Sequence, residues 1–367
     1  MNGWWRAGLA ALLLTVSSPA APAAPAEPAA PVEPAASPDG RPAACSPRTS
    51  LAGFSDALDK TAFAGTRVAG LSALSARGNS RVLALTDNTD ADEARVYELA
   101  VRSAPGRVGA AVRDVTVLRR PDGTPYTGAD FDGEGLVAEP AGTVLASSER
   151  EPSIRRFRLS DGRQTAELPV PRRFRIAPAG QAAANQTFES LTTAPDGRTL
   201  YAGLEGPLEA DGHDAANRGL LRILRYGGTP GGAFAPRAQY AYRADPGLGL
   251  AELAALDRHH LLALERGYTA GVGNTVRIYR VSLHGAPDVT ALPSLTEAGA
   301  GVFAAKRLLV DLADCPPSGA TSPQPQPNPL LDNVEGMTLP GHRTLLLVSD
   351  DNASARQITR LYALRLE

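Results

Sequence analysis

The sequence predicts an all-β chain folded as a β-propeller of six blades, preceded by a signal peptide and a disordered Ala/Pro linker. Two observations carry the fold. One hairpin plan recurs five times, and the stretches between the hairpins alternate apolar residues with Arg. Repetition of short four-strand units is the sequence signature of a propeller. Beyond the leader no segment sustains a period near 3.6, so helices have no claim on the core.

Taken from the N-terminus, Trp4-Trp5-Arg6 precedes an apolar run over Ala7–Val16 and a small-residue exit at Ser17–Ala20. That is the pattern of a secretory leader, assigned to residues 1–21. The run is about half the length a spanning helix needs, which argues against stable membrane insertion. Residues 22–44 are Ala/Pro/Glu and read as an extended spacer with little to bury. The folded domain is expected over 45–367, in a secreted or periplasmic protein. In such a compartment Cys45 and Cys315 either pair, which export favours, or stand as separate thiols. The Pro-rich stretch 315–329 reads as an exposed loop inside the fold.

The five repeats open at Gly70, Glu134, Glu189, Glu252 and Glu335 and close at Asp87-Asn88, Glu149-Arg150, Glu205, Glu265-Arg266 and Asp350–Asn352. Each is an apolar run, a turn and a second apolar run. Turn chemistry is clear at Pro195–Arg198, Pro140–Gly142 and Pro340–His342, so each repeat is a β-hairpin. The intervening stretches Ala94–Val101, Ile154–Leu159, Leu220–Tyr226 and Thr275–Leu283 alternate as strands with one wet face. A sixth blade is expected to house the runs at Val112–Leu118 and Lys306–Leu312. The last run, Ile358–Leu366, is expected to close the ring with a strand near the N-terminus.

Charge adds a constraint. The 37 Lys+Arg and 39 Asp+Glu leave a net charge of -2, too little for a nucleic-acid binder held by bulk charge. Lysine occurs only at Lys60 and Lys306; the Arg excess accompanies many Ala, Gly and Pro, as a GC-rich coding bias would produce. Two cysteines exclude a disulfide scaffold and a four-thiolate zinc site.

A hairpin sets its first and last residues side by side. The spacing therefore predicts the pairs Glu134–Glu149, Glu189–Glu205, Glu252–Glu265 and Glu335–Asp350, gathered at one mouth of the channel. Asp87 supplies the first repeat's acid, and Asp130 and Asp132 add two more near the second. Crowded carboxylates raise one another's pKa unless a cation neutralises them, and all-oxygen sites in exported proteins suit Ca²⁺. The expected metal ligands are Asp87, Glu134, Glu189, Glu252, Glu335, Asp350 and Asp351. Alternatively the same acids accept backbone N–H groups or pair with Arg150 and Arg266.

The set Glu134-Gly135-Leu136, Phe188–Leu191, Pro195–Tyr201, Leu264–Arg266, Asn333–Met337 and Ser349–Asn352 resembles the phytase-like domain family, described by its esterase-like activity of phytase. The resemblance runs in order over residues 50–365. It implies a propeller and, by analogy with β-propeller phytases, Ca²⁺-dependent hydrolysis of phosphomonoesters. Fold transfers across such an analogy better than chemistry does. On this reading Glu134, Glu189 and Glu335 act in catalysis, with Arg150 and Arg266 on the phosphate. The expected partner is a small anionic substrate such as a phosphoester, taken by a monomer.

Other chemistries fit the residues less well. Gly70–Leu74 lacks the second Gly of a serine-nucleophile elbow, so Ser72 reads as a hydrogen-bonding residue at a blade start. The five His (His213, His259, His260, His284, His342) make no zinc spacing, though His213 lies in a polar loop able to approach the mouth. The sequons at Asn185 and Asn352 fall inside repeat motifs and read as coincidence. A non-enzymatic binding propeller and a lactonase-like metal hydrolase remain the two alternatives to a phosphoesterase.

Overall fold

The computed structural model describes residues 43–78, 80–87, 91–104 and 106–367. The leader, all but the end of the linker, and Asn88 lie outside them. Among the described residues the long strands form five sheets, each a blade. The first blade is Leu71–Ala76, Arg81–Thr86, Arg95–Ala104 and Arg107–Val117, from channel to rim. The second is Gly133–Ala138, Thr143–Ser148, Ser153–Arg158 and Gln164–Glu167. The third is Phe188–Thr193, Thr199–Leu204, Leu220–Gly228 and Phe234–Arg243. The fourth is Gly249–Ala255, His260–Thr269, Gly273–Ser282 and Ala305–Asp311. Every pairing is antiparallel, as short hairpin connections require.

The fifth blade closes the ring from both ends of the domain. Val334–Gly341, Thr344–Ser349 and the C-terminal strand Leu361–Leu366 continue into Thr49–Ser55 and Ala43–Ser46. The closing strand expected near residue 358 thus pairs with an N-terminal one, Leu361 opposite Ser55. A disulfide between Cys45 and Cys315 locks the outermost strand to the segment that leaves the fourth blade.

Five blades correct the expected six. The runs near residues 112 and 306 need no blade of their own. They are the rim strands of the first and fourth blades, pairing with Arg95–Ala104 and Gly273–Ser282. The hairpin count of five was the true blade count, because each hairpin is the inner half of one blade.

The core lies between blades. Ala73, Leu85, Leu136 and Phe157 fill the space between the first and second, and Leu253, Tyr242, Tyr201 and Val281 that between the third and fourth. The scarcity of aromatics is met by Leu and Ala at close approaches. Gly135 is one such point: a Cβ there would sit 2.6 Å from Ser147 Oγ and 2.8 Å from Leu191 N. The Pro-rich stretch is partly exposed and is tied to the body along its length. Asn328 donates to the Ala313 carbonyl at 3.1 Å, and buried Arg360 donates to the carbonyls of Pro329 and Leu330 at 2.9 and 3.0 Å.

Candidate functional site

Each innermost strand carries a β-bulge at the same place. The register shifts between Leu71 and Ala73, Gly133 and Leu136, Phe188 and Ser190, Leu250 and Glu252, and Val334 and Gly336. The extra residue is Ser72, Glu134, Glu189, Ala251 or Glu335. A bulge re-aims its side chain out of the strand's alternation, a device common beside active sites. On the second strand of each blade, or just past its end, one residue stands opposite the position two before that bulge. By the same registers these are Asp87, Glu149, Glu205, Arg266 and Asp350. Four of these backbone N–H groups donate to the strand entering the blade, to Gly70, Asp132, Thr187 and Asn333 carbonyls at 2.8–3.0 Å.

This alignment corrects the fourth repeat. The spacing pairs Glu252 with Glu265, but the register sets Glu252 opposite Leu264 and Glu265 opposite Leu250. Each is one residue from the ring position, and in a strand one residue is the opposite face. Glu265 consequently turns into the body of the blade. It accepts hydrogen bonds from Tyr242, from Asp245 N at 2.9 Å and from Lys306 Nζ at 2.5 Å. Glu252 is buried below the ring and accepts from Leu253 N at 2.9 Å and Leu191 N at 3.3 Å. Its Oε2 is buried with no partner, and burial holds its pKa well above the usual range.

The remaining acids converge. Oxygens of Asp132, Glu134 and Glu149 lie within 4.8 Å of one another, and so do those of Glu149, Glu189 and Glu205. Glu149 belongs to both trios and is held by Thr187 N at 3.0 Å. Asp132, Glu149 and Glu205 are absent from the expected ligand set; the signal for Glu149 and Glu205 was the repeated acid closing each hairpin, and for Asp132 its place two residues before Glu134. The expected pairs Glu134–Glu149 and Glu189–Glu205 are thus in place, and Asp350 lies within electrostatic reach of Glu335 and Asp87.

Burial is the main force on these carboxyls, with mutual repulsion second. It pushes Asp87 and Glu149 up to about 7, with Glu335 and Glu205 respectively the leading neighbours. Glu134, Glu189 and Asp350 are raised well above the ordinary range for the same two reasons. Glu205 and Glu335 are raised too, but Arg266 opposes the shift. Gly70 shapes this edge of the ring: with φ +64°, it leaves room for Asp87 Oδ1, which a Cβ would meet at 2.1 Å.

Of the two arginines expected here, Arg266 enters the cluster. Its Nη2 lies 2.9 Å from Glu335, 3.5 Å from Glu205 and 4.0 Å from Glu189. Arg150 is exposed, and its Nε donates to the Gly128 carbonyl at 3.1 Å. Asp351 is buried against Lys60 and accepts from Gly70 N at 3.1 Å. Asp130 pairs with Arg120. Ser72 is buried beside Glu335, as a blade-start residue should be.

A cavity of about 360 Å³ opens beside the cluster. Glu205 and Arg266 belong to its wall, together with His213, Gln186, Asn217 and Tyr268. Tyr268 is 58% exposed at this rim. His213 therefore reaches the mouth region, as its polar loop suggested.

Five blades around a channel whose mouth is ringed by buried carboxylates define an acid-mouthed β-propeller. The chain belongs to the Phytase-like family, described as "Esterase-like activity of phytase", whose model matches residues 66–353. No curated protein matches the sequence at a significant level. Among solved structures it is similar to the PQQ-bound aldose sugar dehydrogenase of Streptomyces coelicolor, with 13% identity and a TM-score of 0.37 over 82% of this chain and 95% of that one. A Dyadobacter fermentans protein of unknown function gives 10% identity and a TM-score of 0.37 over 88% and 98%. The virginiamycin B lyase of Staphylococcus aureus gives 11% and 0.32, over 80% of this chain and 66% of the lyase.

Proposed function

We propose that this protein is an exported, calcium-dependent phosphomonoester hydrolase whose site is the acidic mouth. The observation that carries the reading is the pair of carboxylate trios that share Glu149, Asp132–Glu134–Glu149 and Glu149–Glu189–Glu205, the second reaching Arg266 and a 360 Å³ cavity through Glu205. The donor set fits the ion. It is all carboxylate oxygen, mostly buried, and burial together with repulsion between the acids, which a cation would relieve, raises Glu134 and Glu149. Asp132, Glu134 and Glu149 would hold Ca²⁺, with Asp87 and Asp350 close by. When bound, the ion supplies charge for a phosphoryl oxygen and lowers the pKa of water.

The chain's own groups do the rest. Arg266 lies on the cavity wall and offers a guanidinium to a phosphoryl group there. Hydrolysis adds water to phosphorus and breaks the ester P–O bond, and the leaving alcohol gains a proton. His213 lines the same cavity and is the candidate donor of that proton. The leader and the disulfide both suit an oxidising compartment outside the cytoplasm.

The test is phosphate release by the mature chain from a panel of phosphomonoesters, phytate included, over a Ca²⁺ series and in EGTA. Carboxyl esters and lactones serve as controls. No phosphate release at any Ca²⁺ concentration sinks the reading. Hydrolysis confined to lactones would select the lactonase-like alternative, and calcium binding without turnover a binding propeller.

A further inference from the structure

We infer that Arg266 occupies the place of a second divalent cation, so that the ring takes one calcium ion and not two. This rests on the calcium reading above. The observation is the fivefold equivalence of the ring. Second-strand positions carry Asp87, Glu149, Glu205 and Asp350 in four blades and Arg266 in the fourth. The bulge positions carry Glu134, Glu189 and Glu335, with Ser72 in the first blade and Ala251 in that same fourth blade. One blade has thus lost both its acids and gained a fixed positive charge.

That charge falls on one half of the ring only. The two trios share Glu149 and differ in their relation to Arg266. Glu189 and Glu205 of the second trio lie 4.0 and 3.5 Å from Arg266, and Glu335 lies 2.9 Å away. The trio of Asp132, Glu134 and Glu149 has no member among the ion-pair partners of Arg266. A guanidinium within 4 Å of three carboxylates does the electrostatic work of an ion and repels one. The residue can reach both sides because its strand sits between the third and fifth blades. It spans from Glu189 and Glu205 on one to Glu335 on the other.

Calcium stoichiometry tests the inference, measured by equilibrium dialysis and titration calorimetry on the mature chain with Ca²⁺ as the only added ligand. The expected result is one ion per chain for the natural sequence and two for Arg266→Gln, with Arg266→Lys remaining at one. Because Arg266→Gln strands three carboxylates, a second variant, Arg266→Gln with Glu335→Gln, removes both members of the closest pair. It leaves the trio Glu149, Glu189 and Glu205 intact and is expected to bind two ions. A variant that folds only in excess Ca²⁺ supports the inference as well, since the ion then replaces the lost cation. One ion in both natural and variant chains, or two in the natural chain, overturns the inference and leaves the calcium reading standing. No ion in any of them overturns both.

Discussion

Arg266 of the fourth blade reaches across the channel mouth to Glu335 of the fifth, with 2.9 Å between guanidinium and carboxylate. The pair joins two blades at the point where a propeller is most crowded with charge. Its partners elsewhere in the ring are acids at the equivalent positions, so removing the arginine uncovers their repulsion.

Arg266→Gln is therefore expected to destabilise the calcium-free protein. Breaking a buried pair costs about 3–5 kcal/mol; with the Arg266 side chain 17% exposed, about 2–4 kcal/mol is expected. Denaturant melts in EGTA measure this, and saturating Ca²⁺ is expected to return part of it.

Stability should fall with rising pH. Asp87 and Glu149, like the other ring acids, have folded pKa values raised above those of an unfolded chain. A raised pKa means the native state holds protons that the unfolded state has released. Stability is then fullest below about pH 4 for these groups and is lost through about pH 7. The calcium-free Tm should accordingly be lower at pH 8 than at pH 5. Calcium should flatten the slope, because the ion substitutes for the protons. A Tm that rises over this interval in EGTA would contradict the buried ring.

Glu134 and Glu265 separate ring from body. Glu134→Gln should weaken Ca²⁺ binding by tenfold or more, on the order of 1.4 kcal/mol, since it removes a member of the first trio. Glu265→Gln should leave that affinity within about twofold. Its cost should appear in stability, through the hydrogen bonds to Tyr242, Asp245 and Lys306. Equal losses of affinity in the two variants would return Glu265 to the ring.

Gly70→Ala should disturb the ring from outside it. Its backbone φ of +64° is poorly tolerated by a side chain, and the new Cβ would meet Asp87. A loss of about 1–3 kcal/mol in denaturant melts is expected, with a drop in Ca²⁺ affinity. Unchanged affinity would mean that Asp87 stands outside the metal's reach.

Reduction should loosen ring closure. The Cys45–Cys315 bridge spans 270 residues and ties the outermost strand of the fifth blade to the exit of the fourth. Its loss is expected to cost about 2–5 kcal/mol. Thermal melts with and without reductant measure it, and Cys45→Ser/Cys315→Ser should match the reduced natural chain.

Much of this molecule is written in local pattern. Hairpin turns such as Pro195–Arg198, strand alternation such as Thr275–Leu283, and the repeated acids at hairpin ends depend on residues close in the chain. These determined the propeller, its closing strand and most of the acidic ring from sequence alone. Blade number was less legible. The runs near residues 112 and 306 look alike as the start of a blade or the rim of one, and only pairing partners distinguish the two.

The charge at each ring position was decided by the tertiary structure. Glu252 and Glu265 have the composition of the other pairs but stand 13 residues apart, against 15, 16 and 15 for Glu134–Glu149, Glu189–Glu205 and Glu335–Asp350, while Ala251 and Arg266 stand 15 apart. Pairing puts Ala251 at the bulge common to all five blades and Arg266 opposite Gly249, which turns Glu265 inward to Lys306 and presents Arg266 to the channel. A bulge is set by how two strands pair, and strand periodicity converts that single residue into the opposite face and, here, the opposite charge.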